Sequence, residues 1–296
     1  MGISAWTEPT LVKAGTFYPK KTMTAEERLR FYASEFPVAE VDSTYYAPPT
    51  LRNAELWIER TPKDFVFDIK AFSLLTGHPT RVDRLPRDLK EELPAQLAEK
   101  KNVYRDKVPG AWADEVWSRF HEALFPLHSA GKLGSVLFQF PQWFFPGRES
   151  KDYIVECAQR LSDYQLAIEF RHGSWLSEKN AERTLAFLEE HRLAFVCVDM
   201  PQGFDSSLPP VAAVTNPALA VVRFHGRDPD AWASTSGGAA ERFRYDYSKA
   251  ELEEWTPKVD ELASQARETH VVMNNCYNDY AVKSARQLAS LLDLEE

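Results

Sequence analysis

The side chains able to do chemistry collect at the ends of short apolar runs. Glu40 and Asp42 close one run, Asp68 and Lys70 another, Glu169 and Arg171 a third, and Arg223 and His225 a fourth. Gln139, Asp199, Asn274 and Asn275 end further runs, and His172 follows Arg171 directly. Residues two apart on an extended strand share a face, so each acid–base pair points one way. If those faces converge, the acids and bases meet in one opening. Carboxylates crowded there would raise one another's pKa, and Lys70, Arg171 and Arg223 would counter that. Surplus cation at the rim would hold an anionic group, with arginine supplying a two-pronged hydrogen bond. A carboxylate or histidine beside such a clamp is a natural general acid or base. On this reading Glu169, His225 and Lys70 are the expected catalytic groups. Arg171, Arg223, Gln139, Asn274, Asn275, His78, His172, Trp175, Tyr18, Glu40, Asp42 and Asp199 are the expected substrate contacts.

Each has a blander explanation. Buried charges survive when paired, so Glu40 and Asp68 also read as ion-paired filler. His172 precedes Gly173-Ser174-Trp175 and also reads as a cap for the next turn, while His78 sits in the loop Thr76-Gly77-His78-Pro79. His121, His128 and His191 fall in helical stretches, as surface or core residues. Glu40, Asp42, Glu169, Asp199 and His225 would suit a divalent metal by ligand type, but three nearby cations disfavour one, and the cofactor stays open. Neither a GxSxG elbow nor a phosphate-binding Walker loop occurs. Most aromatics read as walls of the fold. Tyr18, Tyr45 and Trp175 stand beside polar clusters and could stack on a sugar ring or base.

Something must bring these positions together. Strand candidates fall at 3–6, 39–43, 65–70, 134–140, 166–170, 194–199, 220–225 and 270–275. Most are apolar on both alternating faces, as in Phe195-Val196-Cys197-Val198, which suits a parallel sheet covered by helices. Helical patterns fall at 24–35, 53–61, 112–130, 151–162, 178–191, 248–268 and 279–292. The first opens on Thr24-Ala25-Glu26-Glu27, a capping box. Strand–helix alternation over eight strands, with no GxGxxG after the first, predicts a single-domain α/β fold over 1–296, a TIM-type (β/α)8 barrel. Two connections are long, 71–133 and 226–269. The second holds Ser234-Thr235-Ser236-Gly237-Gly238, which reads as a mobile loop.

Bulk numbers narrow the class. The 296 residues are 44% hydrophobic and 27% charged, ordinary globular values. A net charge of −9 argues against extended nucleic acid, whose binders draw affinity from excess Lys and Arg; the converging strand-end groups are what point to a small-molecule partner. Cys157, Cys197 and Cys276 form no CxxC, which fits a reducing cytoplasm. The N-terminus lacks the pattern of a secretory signal, position 6 is Trp where myristoylation needs Ser or Thr, and no run reaches membrane-span length.

The blocks Gly15-Thr16-Phe17-Tyr18-Pro19, Glu40-Val41-Asp42-Ser43-Thr44-Tyr45-Tyr46, Phe65-Val66-Phe67-Asp68-Ile69-Lys70, Gly134-Ser135-Val136-Leu137-Phe138-Gln139-Phe140-Pro141, Glu169-Phe170-Arg171-His172-Gly173-Ser174-Trp175, Arg223-Phe224-His225-Gly226 and Asn274-Asn275 resemble the YecE-like family, named for domain of unknown function 72. The match runs nearly end to end in one order. It implies a TIM-type barrel and brings no activity with it. Two positions depart from the family pattern: Ala5 stands where relatives often have Gly, and Asp42 where they usually have Asn, adding a negative charge at the opening. The expectation is acid–base chemistry on a small polar, anionic or carbohydrate-like molecule. The alternatives are a metal-dependent isomerase- or endonuclease-like enzyme, or a non-catalytic factor binding a ligand or a nucleic-acid end.

Overall fold

The computed structural model describes residues 1–234 and 239–294. Eight strands close a parallel barrel: β1 (Gly2–Ser4), β2 (Val38–Val41), β3 (Val66–Lys70), β6 (Leu133–Gln139), β7 (Leu166–Glu169), β8 (Ala194–Asp199), β9 (Leu219–Phe224) and β10 (Glu268–Met273). The strands β4 (Thr80–Arg81) and β5 (Asn102–Val103) form a separate antiparallel ribbon inside the first long connection. The order around the ring follows the chain, and β1 pairs with both β2 and β10 to shut it. This is the TIM-type barrel expected from the sequence.

Local chemistry explains the joints. The helix Ala25–Glu35 starts on the expected capping box: Glu27 N donates to Thr24 Oγ1 at 3.2 Å, and Thr24 N donates to Glu27 Oε2 at 2.6 Å. Its Tyr32 is fully buried, and the hydroxyl accepts from Ile3 N and donates to Val38 O, both at 2.8 Å. One side chain thus bolts this helix to two strands whose pairing begins the barrel. Strand β8 is buried along its whole length, as its unbroken apolar run requires.

Two details differ from the sequence expectations. The alternation is incomplete, because 200–218 between β8 and β9 carries no helix. Pro201, Pro209, Pro210 and Pro217 lack the backbone N–H groups a helix would need there. Thr215 takes over part of the backbone bonding, accepting from Phe195 N at 2.8 Å and donating to Leu193 O at 2.6 Å. The helix expected over 248–268 is two helices, Lys249–Glu253 and Thr256–Gln265, with Pro257, which has no backbone N–H to continue the first, in the opening turn of the second. Residues 235–238 of the expected mobile loop lie outside the described residues.

A buried polar pair sits low in the barrel. His270 Nδ1 lies 3.0 Å from both Asp68 carboxylate oxygens, and Ser135 Oγ donates to Asp68 Oδ1 at 2.7 Å. His270 shares register with Val221, two residues before Arg223, so the pair is set one inward step below the opening. Burial would lower the His270 pKa, but Asp68 raises it to about 9. A Cβ at Gly134 would come 2.6 Å from His270 Cε1 and 2.8 Å from Asp68 Oδ1, so only glycine fits beside the pair.

This gives a pH prediction with a definite sign. The folded pKa of His270 lies above that of an unfolded histidine, so its contribution is full below about pH 6.5 and fades as pH rises through about 9. A fall of a few kcal/mol in unfolding free energy is expected across that window, on the order of 1.4 kcal/mol per pKa unit. Denaturant titrations at pH 6 and pH 9.5 on wild type and His270→Asn check it: the wild type should lose stability and the variant should not.

Candidate active site at the barrel mouth

The C-terminal strand ends carry a buried charge lattice centred on Arg223, which is fully buried on β9. Its Nε donates to Glu40 Oε2 at 2.8 Å and its Nη2 to Glu40 Oε1 at 2.5 Å, a two-pronged pair across the barrel. Its Nη1 donates to Glu169 Oε2 at 2.5 Å. The other oxygen of Glu169 accepts from Arg171 Nε at 2.5 Å and lies 3.3 Å from His225 Nε2. Gln139 Oε1 accepts from Arg171 Nη2 at 3.0 Å and from Arg223 Nη1 at 3.5 Å. Asn274 Nδ2 sits 2.9 Å from His225 Nδ1. At the edge, Ser4 Oγ lies 2.9 Å from Glu40 Oε1 and 2.8 Å from Asp42 Oδ2, and Lys70 Nζ lies 3.2 Å from Asp42 Oδ1.

The electrostatics follow from this wiring. Burial would raise the Glu169 pKa, but Arg171 and Arg223 hold it well below the usual carboxylate range. Burial presses His225 down to about 3, and Arg171 adds to that, so the imidazole is neutral. Burial lifts Glu40 to about 7 against the pull of Arg223, with Asp42 adding to the rise. Asp42, though also desolvated, is held at about 2 by Lys70 and then Arg223. Arg171, Arg223 and Lys70 thus face Glu40, Asp42 and Glu169, and the charges offset one another.

Above the lattice opens a cavity of about 610 Å³. Its floor is Lys70, Gln139 and Arg171. Glu40, Glu169, Arg223 and His225 lie beneath that floor, each no more than 1% exposed. On one side stand Tyr45, Tyr46, His78 and Trp143, from the loops after β2, β3 and β6. On the other stand Trp232, Arg242 and Phe243, from the connection after β9. Among the described residues no carboxylate lines this space.

His78 has a defined protonation pattern. The Thr76 hydroxyl donates to Ser73 O at 3.1 Å, which uses its single proton. His78 Nδ1 lies 2.8 Å from the same oxygen; with the Thr76 proton on Ser73 O, Nδ1 is the donor and Nε2 keeps its lone pair, the tautomer the proposed chemistry uses. Burial, then Lys70 and Arg171, push the His78 pKa down to about 3.

The structure therefore gathers Glu40, Asp42, Lys70, Gln139, Glu169, Arg171, Arg223, His225 and Asn274, and sets His78 in the cavity wall. It places the remaining expected contacts elsewhere. Asp199 accepts from Arg227 at 2.7 Å, from the Tyr247 hydroxyl at 2.6 Å and from Trp255 Nε1 at 2.6 Å, fastening the long connection after β9 to the barrel. Asn275 donates to Tyr245 O at 2.9 Å and Ser284 Oγ at 3.1 Å. His172 Nδ1 accepts from Ser174 N at 3.2 Å and caps the turn Gly173–Leu176. Trp175 is fully buried between the Phe170 and Phe144 rings and donates to Phe144 O at 2.6 Å. The Tyr18 hydroxyl donates to Trp6 O, and its ring packs on Phe17 and Phe31. With Asp199 tied up elsewhere, the oxygen-rich metal set does not assemble; among the described residues no group of three or more His, Cys, Asp or Glu side chains is placed to hold an ion.

Sequence reasoning missed Ser4, Trp232, Arg242 and Phe243. Ser4 ends β1, so the strand-end rule that found the other polar residues applies to it too. The other three sit inside a long connection, where no periodicity marks which residues turn inward.

A closed parallel barrel with a polar pocket over the C-terminal strand ends defines a TIM-type barrel protein of the kind that carries its site at that face. Within that class, the chain belongs to the DUF72 family: the family model described as "Protein of unknown function DUF72" matches residues 1–296. The chain is 32% identical over 298 residues to the UPF0759 protein YunF of Bacillus subtilis (strain 168), covering all of this chain and 95% of that protein. Among solved structures it is similar to a DUF72 family protein from Enterococcus faecalis V583, with TM-score 0.79, 26% identity and coverage of 100% and 95% of the two chains. It is likewise similar to a DUF72 family protein from Thermotoga maritima MSB8, with TM-score 0.75, 28% identity and 99% of each chain covered. The family expected from the sequence blocks is thus the family found.

Proposed function

We propose that the mouth cavity is an active site for acid–base chemistry on a small anionic molecule. The observation that carries this is the floor, where Lys70 Nζ, the Arg171 guanidinium and the Gln139 amide line one space with no carboxylate among its described residues. Gln139 Oε1 is already engaged by two arginines, so its Nε2 is the group left to serve a ligand. A floor of donors suits an anion, or an oxygen that gains negative charge during reaction. A volume of about 610 Å³ suits a metabolite.

His78 Nε2 is the base and the Lys70 ammonium the acid on this reading. Held at about 3 by burial, Lys70 and Arg171, His78 is a weak base in the empty cavity; an anion on the floor offsets those two cations and raises its basicity, so Nε2 takes a proton once substrate is bound. Glu169 and His225 act through Arg171: Glu169 fixes the guanidinium from below, and neutral His225 fills the space beside it without adding charge. They are positioning residues rather than catalytic ones. Cys157, Cys197 and Cys276 are free thiols, which supports a reducing, cytoplasmic setting; separately, no helix of the described residues is long and apolar enough to cross a membrane.

A thermal-shift screen of small metabolites against wild type, Lys70→Met and Glu169→Gln tests the reading. A true ligand should raise the wild-type melting point and leave Lys70→Met unmoved, since ligand at 100 times its dissociation constant stabilises by about 2.7 kcal/mol. Anions that stabilise all three proteins equally, or a library in which no anion stabilises the wild type, would overturn it.

A further inference from the structure

We infer that the molecule held in this cavity carries a flat aromatic or heteroaromatic ring as well as its anionic group. The inference rests on the reading above and adds the substrate class. It comes from the two walls. In the eight-strand ring β3 is third and β9 seventh, so the loops around them face each other across the opening. The β2–β3–β6 side presents a continuous row of rings: Tyr46 against Tyr45 at 5.1 Å, Tyr45 against His78 at 5.3 Å, and His78 against Trp143 at 5.8 Å. The β9 side presents Trp232 and Phe243, 6.4 Å apart. Trp232 is pinned by its Nε1 donating to Ser206 Oγ at 3.0 Å and by the Arg171 guanidinium 5.3 Å from its ring.

Two aromatic walls, their rings set edge to face and Trp232 fixed in place, make a slot over the donor floor. A flat ring entering it gains stacking on both sides, while its anion meets Lys70, Arg171 and Gln139. A polyol would fare worse. Sugar hydroxyls are donors as well as acceptors, and they need acceptors in return. Among the described lining residues no Asp, Glu or Asn is present, and Gln139 Oε1 is taken. Gln142 and the His78 ring remain as neutral acceptors, too few for the several hydroxyls of a carbohydrate, a demand a flat ring does not make. Half-exposed Tyr46 and Trp143, 55% and 50% accessible, are then the entry side of the slot rather than misplaced core.

The test is a calorimetric binding panel on the full chain. Nicotinate, indole-3-acetate and adenosine 5′-monophosphate carry both ring and anion. Ribose 5-phosphate and glucuronate carry the anion alone, and adenosine the ring alone. At least one ring-bearing anion should bind tenfold or more tightly than every compound of the other two groups. Trp232→Leu should weaken that ring-bearing anion at least tenfold more than it weakens ribose 5-phosphate, so that the advantage disappears. Equal or tighter binding of ribose 5-phosphate or glucuronate would overturn this inference and leave the anion-site reading standing. Failure of every anion to bind would overturn both.

Discussion

Replacing Arg223 with Met should cost the fold about 3–5 kcal/mol, the usual penalty for removing one partner of a buried ion pair. The size follows from what is left behind. Arg223 supplies both hydrogen bonds of the two-pronged pair to Glu40 and one of those reaching Glu169. Without it, two carboxylates no more than 1% exposed remain in the barrel, Glu40 with a hydrogen bond from Ser4 and the Asp42 charge nearby, and Glu169 with Arg171 and His225. Glu40, already raised to about 7, should then take up a proton to escape its burial. The double variant Arg223→Met, Glu40→Leu should recover part of the loss, because it removes charge in place of stranding it. Guanidinium unfolding of the three proteins checks this. A single variant within about 1 kcal/mol of wild type would show that the lattice is not what fills the barrel.

Replacing Arg171 with Met should do the reverse, sparing the fold and emptying the cavity. Glu169 keeps its 2.5 Å bond from Arg223, and His225 stays 3.3 Å from its other oxygen. Ligand affinity should drop about 10- to 100-fold, the worth of a charged hydrogen bond. A second signal accompanies the first. Arg171 helps burial hold His225 at about 3, so without that guanidinium the imidazole should titrate at higher pH, drawn up by Glu169. Imidazole NMR across pH 3–8 reads this directly. An unchanged His225 titration would contradict the coupling between the floor and the lattice below it.

The sequence showed the barrel well and the site in outline. The eight strands matched their expected places because each is a compact apolar run with a polar residue at or just beyond its end, a pattern local enough to read. The second ended early, at Val41 rather than at 43, because Thr44 Oγ1 donates toward Val41 O and Lys70 O and curls the chain into a turn. Pairing by two-residue spacing found Glu169 with Arg171. It could not foresee that Arg223, 183 residues from Glu40, would make the barrel's two-pronged bond, since barrel closure alone brings β2 and β9 so near. Asp199 illustrates the same limit from the other side. It ends its strand as Glu169 does, but its partners Arg227, Tyr247 and Trp255 come from a connection whose path no local pattern reveals. Depth was also hidden. Spacing alone marks Glu169 and His225 as the reactive pair, and it carries no sign that both are almost wholly buried while His78 lines the cavity.

The most direct measurement is a crystal structure of the protein with a small anion found by the metabolite screen. The anionic group should lie within hydrogen-bond reach of Lys70 Nζ, the Arg171 guanidinium and Gln139 Nε2, with His78 Nε2 facing the bound molecule. An anion seated instead in the surface groove of Arg148, Lys151 and His191, with the barrel mouth vacant, would contradict the account.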